Sequence, residues 1–134
     1  MSYHIIMIKE QLIYIYLAAE PSIEDDREYV EKLRQILEDA EVPIYFLIDF
    51  THHITTRMPT IQRLAQLAKH PNTGASRAFG ADARYVSYGR VFATFSNLAG
   101  QTAFFPDAEA ALSSLAELQP GLDDDVNIDE FLLS

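Results

Sequence analysis

After Pro43 come seven residues, Ile44-Tyr45-Phe46-Leu47-Ile48-Asp49-Phe50, in which Asp49 is the one charged side chain. A strand with no polar alternation has to be covered on both faces, and helices packed above and below a parallel sheet meet that demand. This run therefore commits the chain to the α/β class. At 134 residues the length suits one domain built round one core.

The flanking patterns agree with that architecture. Tyr3 to Ile8 and Leu12 to Leu17 are branched and aromatic runs separated by Lys9, Glu10 and Gln11, which predicts an antiparallel hairpin whose second strand is central. Ser22 followed by Asp25 reads as a helix start, and Val30, Leu33, Leu37 and Ala40 recur at helical spacing, predicting a helix from Ile23 to Glu41. Pro59 suits the first turn of a second helix with Ile61, Leu64, Leu67 and Ala68 on its apolar face. His70 to Gly74 reads as a turn and Ala75 to Gly80 as a short strand. Tyr85, Tyr88, Phe92, Phe95 and Ala99 predict a third helix. Gln101 to Phe105 reads as a last strand, and Pro106-Asp107 opens a fourth helix with Ala108, Ala111, Leu112 and Leu115 inward. The expected whole is a mixed sheet of about five strands, an antiparallel hairpin followed by parallel strands, with about four helices. Pro120-Gly121 sets the expected end of a single domain, 1–119, leaving 120–134 as an acidic tail.

The net charge of -10 disfavours nucleic acid and anionic membranes, both of which select positive surface. The acidity is uneven. Residues 1–50 hold eleven acids and four bases, residues 51–90 one acid and six bases, and residues 91–134 eight acids with no lysine or arginine. The basic middle leaves room for a local anionic ligand or for the chain's own acidic tail. Without cysteine there is no disulfide, thiolate metal site or cysteine nucleophile. The longest apolar run, Leu12 to Ala19, is too short to span a bilayer, and Met1 to Glu10 does not read as a signal peptide, so the expected location is cytoplasmic.

The order hairpin, helix, strand ending in Asp, helix, strand, helix, strand, helix, from Tyr3 to Gln119, resembles the STAS domain, the SpoIIAA-like fold of anti-sigma-factor antagonists. Three stretches carry the resemblance: Pro43 to Phe50, Phe104 to Leu112, and His70-Pro71-Asn72 with the short strand and aromatic helix that follow, which is similar to the uncharacterised bacterial branch. The resemblance implies a regulatory, protein-binding domain. It also marks a departure, since antagonists of the phospho-switch type place Asp-Ser-Ser-Gly eight residues after the strand-end Asp. Here those positions hold Arg57, Met58, Pro59 and Thr60. A shifted acceptor would fall to Thr56 or Thr60.

Asp49, Thr51, His52, His53, Thr55, Thr56 and Arg57 crowd the carboxyl end of the buried strand, the edge where open α/β sheets place ligands. With Arg77 and Arg84 they form the candidate ligand- or partner-binding set. Adjacent His52 and His53 project in different directions and make a poor chelate, so no metal is expected. The chain lacks a Gly-x-Ser-x-Gly elbow, a phosphate-binding glycine loop and a dinucleotide fingerprint, so neither an enzyme nor a cofactor is expected. In the tail, Asp123, Asp125, Asn127 and Asp129 imitate a calcium loop, but Ile128 and Ser134 replace its glycine and glutamate. Phe131, Leu132 and Leu133 read as a docking segment beside the alternative of a mobile end. The expectation is a non-catalytic regulatory or binding domain whose partner is a protein, a small anionic or apolar ligand, or a second copy in a homodimer. The alternative is a carrier or sensor of a small apolar or anionic, lipid-like or phosphate-bearing molecule.

Overall fold

The opening runs pair as β1 (Tyr3–Lys9) and β2 (Leu12–Leu17), antiparallel, with Ile5 opposite Ile15 and a register shift between Met7 and Lys9. A computed structural model describes residues 3–53, 57–80 and 104–134 of the chain. Within these the sheet runs β1-β2-β3-β4-β5, with β3 (Ile44–Asp49), β4 (Thr73–Phe79) and β5 (Phe104–Phe105) parallel to β2. The expected mixed α/β sheet is present, and β2 is central, between β1 and β3. β4 starts two residues before the expected Ala75, because Thr73 already pairs with Ile44 ahead of a register shift. The predicted third helix and Gln101 to Ala103 lie outside the described residues, as do Thr55, Thr56 and Arg84.

Both crossovers, β2 to β3 through α1 (Ile23–Asp39) and β3 to β4 through α2 (Met58–Ala68), step the same way along the sheet. Right-handed connections then place both helices on one face. There Tyr29, Val30, Leu33 and Leu37 of α1 meet Ile13, Ile15, Leu17, Ile44, Phe46 and Ala78 of the sheet, and Leu64 and Leu67 of α2 pack against them. Ser22 caps α1 by accepting the Asp25 amide at 3.1 Å. The helix stops at Asp39, two residues short of Glu41. Ala40 is already extended, and the Asn72 side chain donates to the carbonyls of Leu37 (2.8 Å) and Ala40 (3.1 Å). The His70-Pro71-Asn72 turn thus closes the end of α1, supplying partners for carbonyls that no further helical turn would reach.

The second face is finished differently. α3 (Ala108–Leu118), capped by Asp107, buries Ala108, Ala111, Leu112 and Leu115 as its spacing predicts. The packing does not end at Pro120-Gly121. Leu122 and Phe131 are buried with Tyr14, Tyr45, Leu47 and Phe79, and Val126, Ile128 and Leu132 pack round them beside Ile6 and Ile8. A four-residue helix, α4 (Ile128–Phe131), carries Phe131. Turn residues mark the exit from α3, while the apolar surface of β1 and β2 on this face draws the segment beyond them back onto the sheet.

Candidate functional site

β3 ends with Asp49 wholly buried. Its Oδ2 accepts the Tyr14 hydroxyl at 2.6 Å and its Oδ1 accepts the Thr51 amide at 3.0 Å. The Tyr14 oxygen in turn accepts the Leu133 amide at 3.1 Å. Burial above all, and then the bond to Asp49, hold the Tyr14 phenol well above its ordinary range, so it remains the donor. The strand-end aspartate is thus a structural anchor linking three segments.

Beyond it the chain turns, the His53 amide donating to the Phe50 carbonyl at 3.0 Å, and the two histidines part. His53 turns inward, stacks against Phe50 and donates Nδ1–H to the Ala18 carbonyl at 2.7 Å. Burial pushes its pKa below the usual imidazole value, partly offset by the Ala18 bond. His52 is exposed, its Nδ1 2.9 Å from the Tyr16 hydroxyl, and the Tyr16 ring lies between it and His4. Thr51 is exposed and packs so close to Gly80 that a Cβ there would lie 2.9 Å from the Thr51 Cα. Gly80 also has φ +77°, which glycine adopts without strain.

At the start of α2, Arg57 reaches back to α1. Its guanidinium donates to the Pro21 carbonyl (2.7 Å) and to Asp26 Oδ2 (2.9 Å), and the same oxygen accepts the Thr60 hydroxyl at 2.9 Å. Asp26 and Thr60 are buried. Thr60 is thus a strut between two helices with its hydroxyl turned inward. Arg77 is on the other face of the sheet, bonded to Ser114 of α3 (3.0 Å) and to its neighbour's carbonyl (2.9 Å). The structure therefore gathers Asp49, Thr51, His52, His53, Arg57 and Thr60 at one edge and separates Arg57 from Arg77. Among the described residues no group of three or more potential ligands could hold a metal ion, and no helix is long and apolar enough to cross a membrane.

No family model matches this sequence, and no curated protein matches it significantly. Solved structures do. An uncharacterised protein of the DUF3478 family with a SpoIIAA-like fold, from Shewanella loihica PV-4, superposes with a TM-score of 0.63 at 22% identity, covering 85% of this chain and 94% of its own. The fold is SpoIIAA-like. The anti-sigma factor antagonist SpoIIAA in its unphosphorylated form superposes at 0.60 with 9% identity, over 87% of this chain and 95% of its own.

Within this SpoIIAA-like fold, sequence reasoning passed over four residues that build the edge. Tyr14 and Tyr16 read as part of an apolar run, although strand alternation puts them on one face beside Leu47 and Asp49. Asp26 sits beside Glu24 and Asp25 in the first turn, where acids are ordinary. Its spacing of four, seven and eleven residues from Val30, Leu33 and Leu37 places it on the buried stripe of α1. Leu133 offered no signal, since a backbone amide carries none.

Proposed function

We propose that this chain is a non-catalytic regulatory module that binds a protein partner through the loop after β3 and the first turn of α2. The observation that carries the reading is the division of labour at that edge. The groups with chemical potential, Asp49, His53, Asp26 and Thr60, are buried and hydrogen-bonded within the protein, while Met58 stands 46% exposed between Arg57 and Pro59. Met58 occupies the position where the phospho-switch pattern has its first serine, so an apolar contact replaces a modifiable hydroxyl.

Two further points support a protein over a small molecule. The strands follow one another without reversal of order from β1 to β5, so the described sheet has no switch point at which a ligand crevice would open. Arg57 and Arg77, the described cations of the expected anion site, point to opposite faces and are engaged at home. The solved SpoIIAA is by its name an antagonist of an anti-sigma factor, a role played against another protein. The module acts in the cytoplasm, without a cofactor.

The test is site-specific photo-crosslinking in the source organism, with the crosslinker at Met58 and, as controls, at Met7 and Leu118, which are 61% and 52% exposed on other surfaces. A discrete adduct from position 58 that neither control gives, and that the Arg57→Glu variant loses, supports the reading. Equal yields at all three positions would sink it.

A further inference from the structure

On the α1 and α2 face the sheet is roofed by helices whose apolar stripes run their whole length. On the other face α3 covers β3, β4 and β5, while the surface of β1 and β2 falls to residues 122–134. This cover is slight. Its buried anchors are Leu122 and Phe131, the latter edge-on to the Tyr14 ring at 4.9 Å between centroids. Between the anchors lie turns, with Asp125 at positive φ, and the start of a four-residue helical turn, while Gly121, also at positive φ, stands just before the first anchor.

Charge works against the docking. The segment holds Asp123, Asp124, Asp125, Asp129 and Glu130 and no base, half of the net charge of -10, so the remainder of the chain repels it. Among the described residues none of these five acids forms a salt bridge. A short segment with two deep anchors and a dense run of acids outside any described salt bridge is the kind that opens below the threshold of global unfolding.

Its seat is wired to the edge proposed as the working surface. The Leu133 amide donates to the Tyr14 oxygen, Tyr14 donates to Asp49, and Asp49 receives the amide of Thr51, the first residue of the loop. We propose that residues 122–134 are a displaceable strap whose seating on Tyr14 holds Thr51 to His53, the described start of the loop after β3, in their present form, so that undocking the strap resets them. The device rests on that loop being the working surface. It gives the module two states, strap seated and strap lifted, and a partner that favours one form of the loop shifts the other end of the relay by the same coupling.

Amide hydrogen exchange on the full chain tests this without any partner, so its outcome is independent of the crosslinking result. In the wild type, amides 126–133 should exchange at least tenfold faster than those of β2 and β3, and should slow as salt rises and screens the repulsion. Leu133→Pro removes the single amide that reaches Tyr14, and Leu132 already has the extended backbone (φ -61°, ψ 123°) that a following proline requires. This variant should speed exchange of the Thr51 amide by about fivefold, roughly the effect of one lost hydrogen bond, and leave α1 amides unchanged. Phe131→Ala should raise exchange in the strap and at Thr51 together. If Phe131→Ala fails to fold, the wild type and Leu133→Pro decide. Strap amides as slow as those of β2 would overturn displaceability, and a lifted strap with an unaltered Thr51 amide would overturn the coupling.

Discussion

The two faces of the sheet bury similar kinds of side chain by different means. Under α1 the buried positions repeat along 17 residues, so each apolar contact is held by the turns before and after it. Under residues 122–134 the anchors Leu122 and Phe131 are nine positions apart, and little but turns connects them. The first arrangement distributes stability over a helix. The second concentrates it in a few contacts that can part together, and one of them, Phe131 edge-on to Tyr14, sits directly on the hydrogen-bond relay to Asp49.

Leu37→Ala breaks the comparison from the strong side. Leu37 is fully buried in the α1 face, and its truncation should lower stability by about 3 kcal/mol, read from urea unfolding, because the helix holds the cavity open. Tyr14→Phe should follow at about 2 kcal/mol, since it leaves one oxygen of the buried Asp49 and the Leu133 amide short of a partner. Phe131→Ala sharpens the contrast. Although phenylalanine is larger than leucine, its loss should lower global stability by only about 1 to 2 kcal/mol, because the deficit is limited by the free energy of seating the strap. A loss as large as that of Leu37→Ala would mean that both faces unfold as one unit.

The smallest effect concerns pH. Burial lowers the His53 pKa in the folded chain below its ordinary value of 6.5, so below that pH the unfolded chain binds the proton that the folded chain refuses. The stability in question is complete above pH 6.5, declines as the pH falls beneath it, and levels off once the folded pKa is passed. Urea midpoints measured from pH 7.5 to 5 should therefore fall more steeply for the wild type than for His53→Gln. Parallel curves would assign the acid sensitivity elsewhere.

What could be read in the chain follows the same division. The β3 run, α1 and α3 declare themselves because many residues repeat one instruction, and the edge at Asp49 was located by the end of that run. The polar partners were harder. The buried Asp26 accepts from both Arg57 and Thr60, yet in composition it is one acid among Glu24, Asp25 and Glu28. Periodicity weighs hydrophobicity, so a carboxylate on the apolar stripe reads as noise. The strap was visible as an apolar cluster near Phe131, but its seat was not, because the surface that receives it exists only once β1, β2 and α3 are assembled. Arg77 was drawn toward Arg57 by charge alone, and the alternation of β4 sends it to the other face.

The relay has a consequence in time. The Tyr14 hydroxyl and the Leu133 amide are separated by 119 residues, whereas each strand of the sheet pairs with its predecessor in the chain. A ribosome releasing this polypeptide at about 5 to 20 residues per second delivers each strand to a neighbour already made. Tyr14 then waits with one side of its oxygen open to water until Leu133 has been made, and the strap seats on strands already paired.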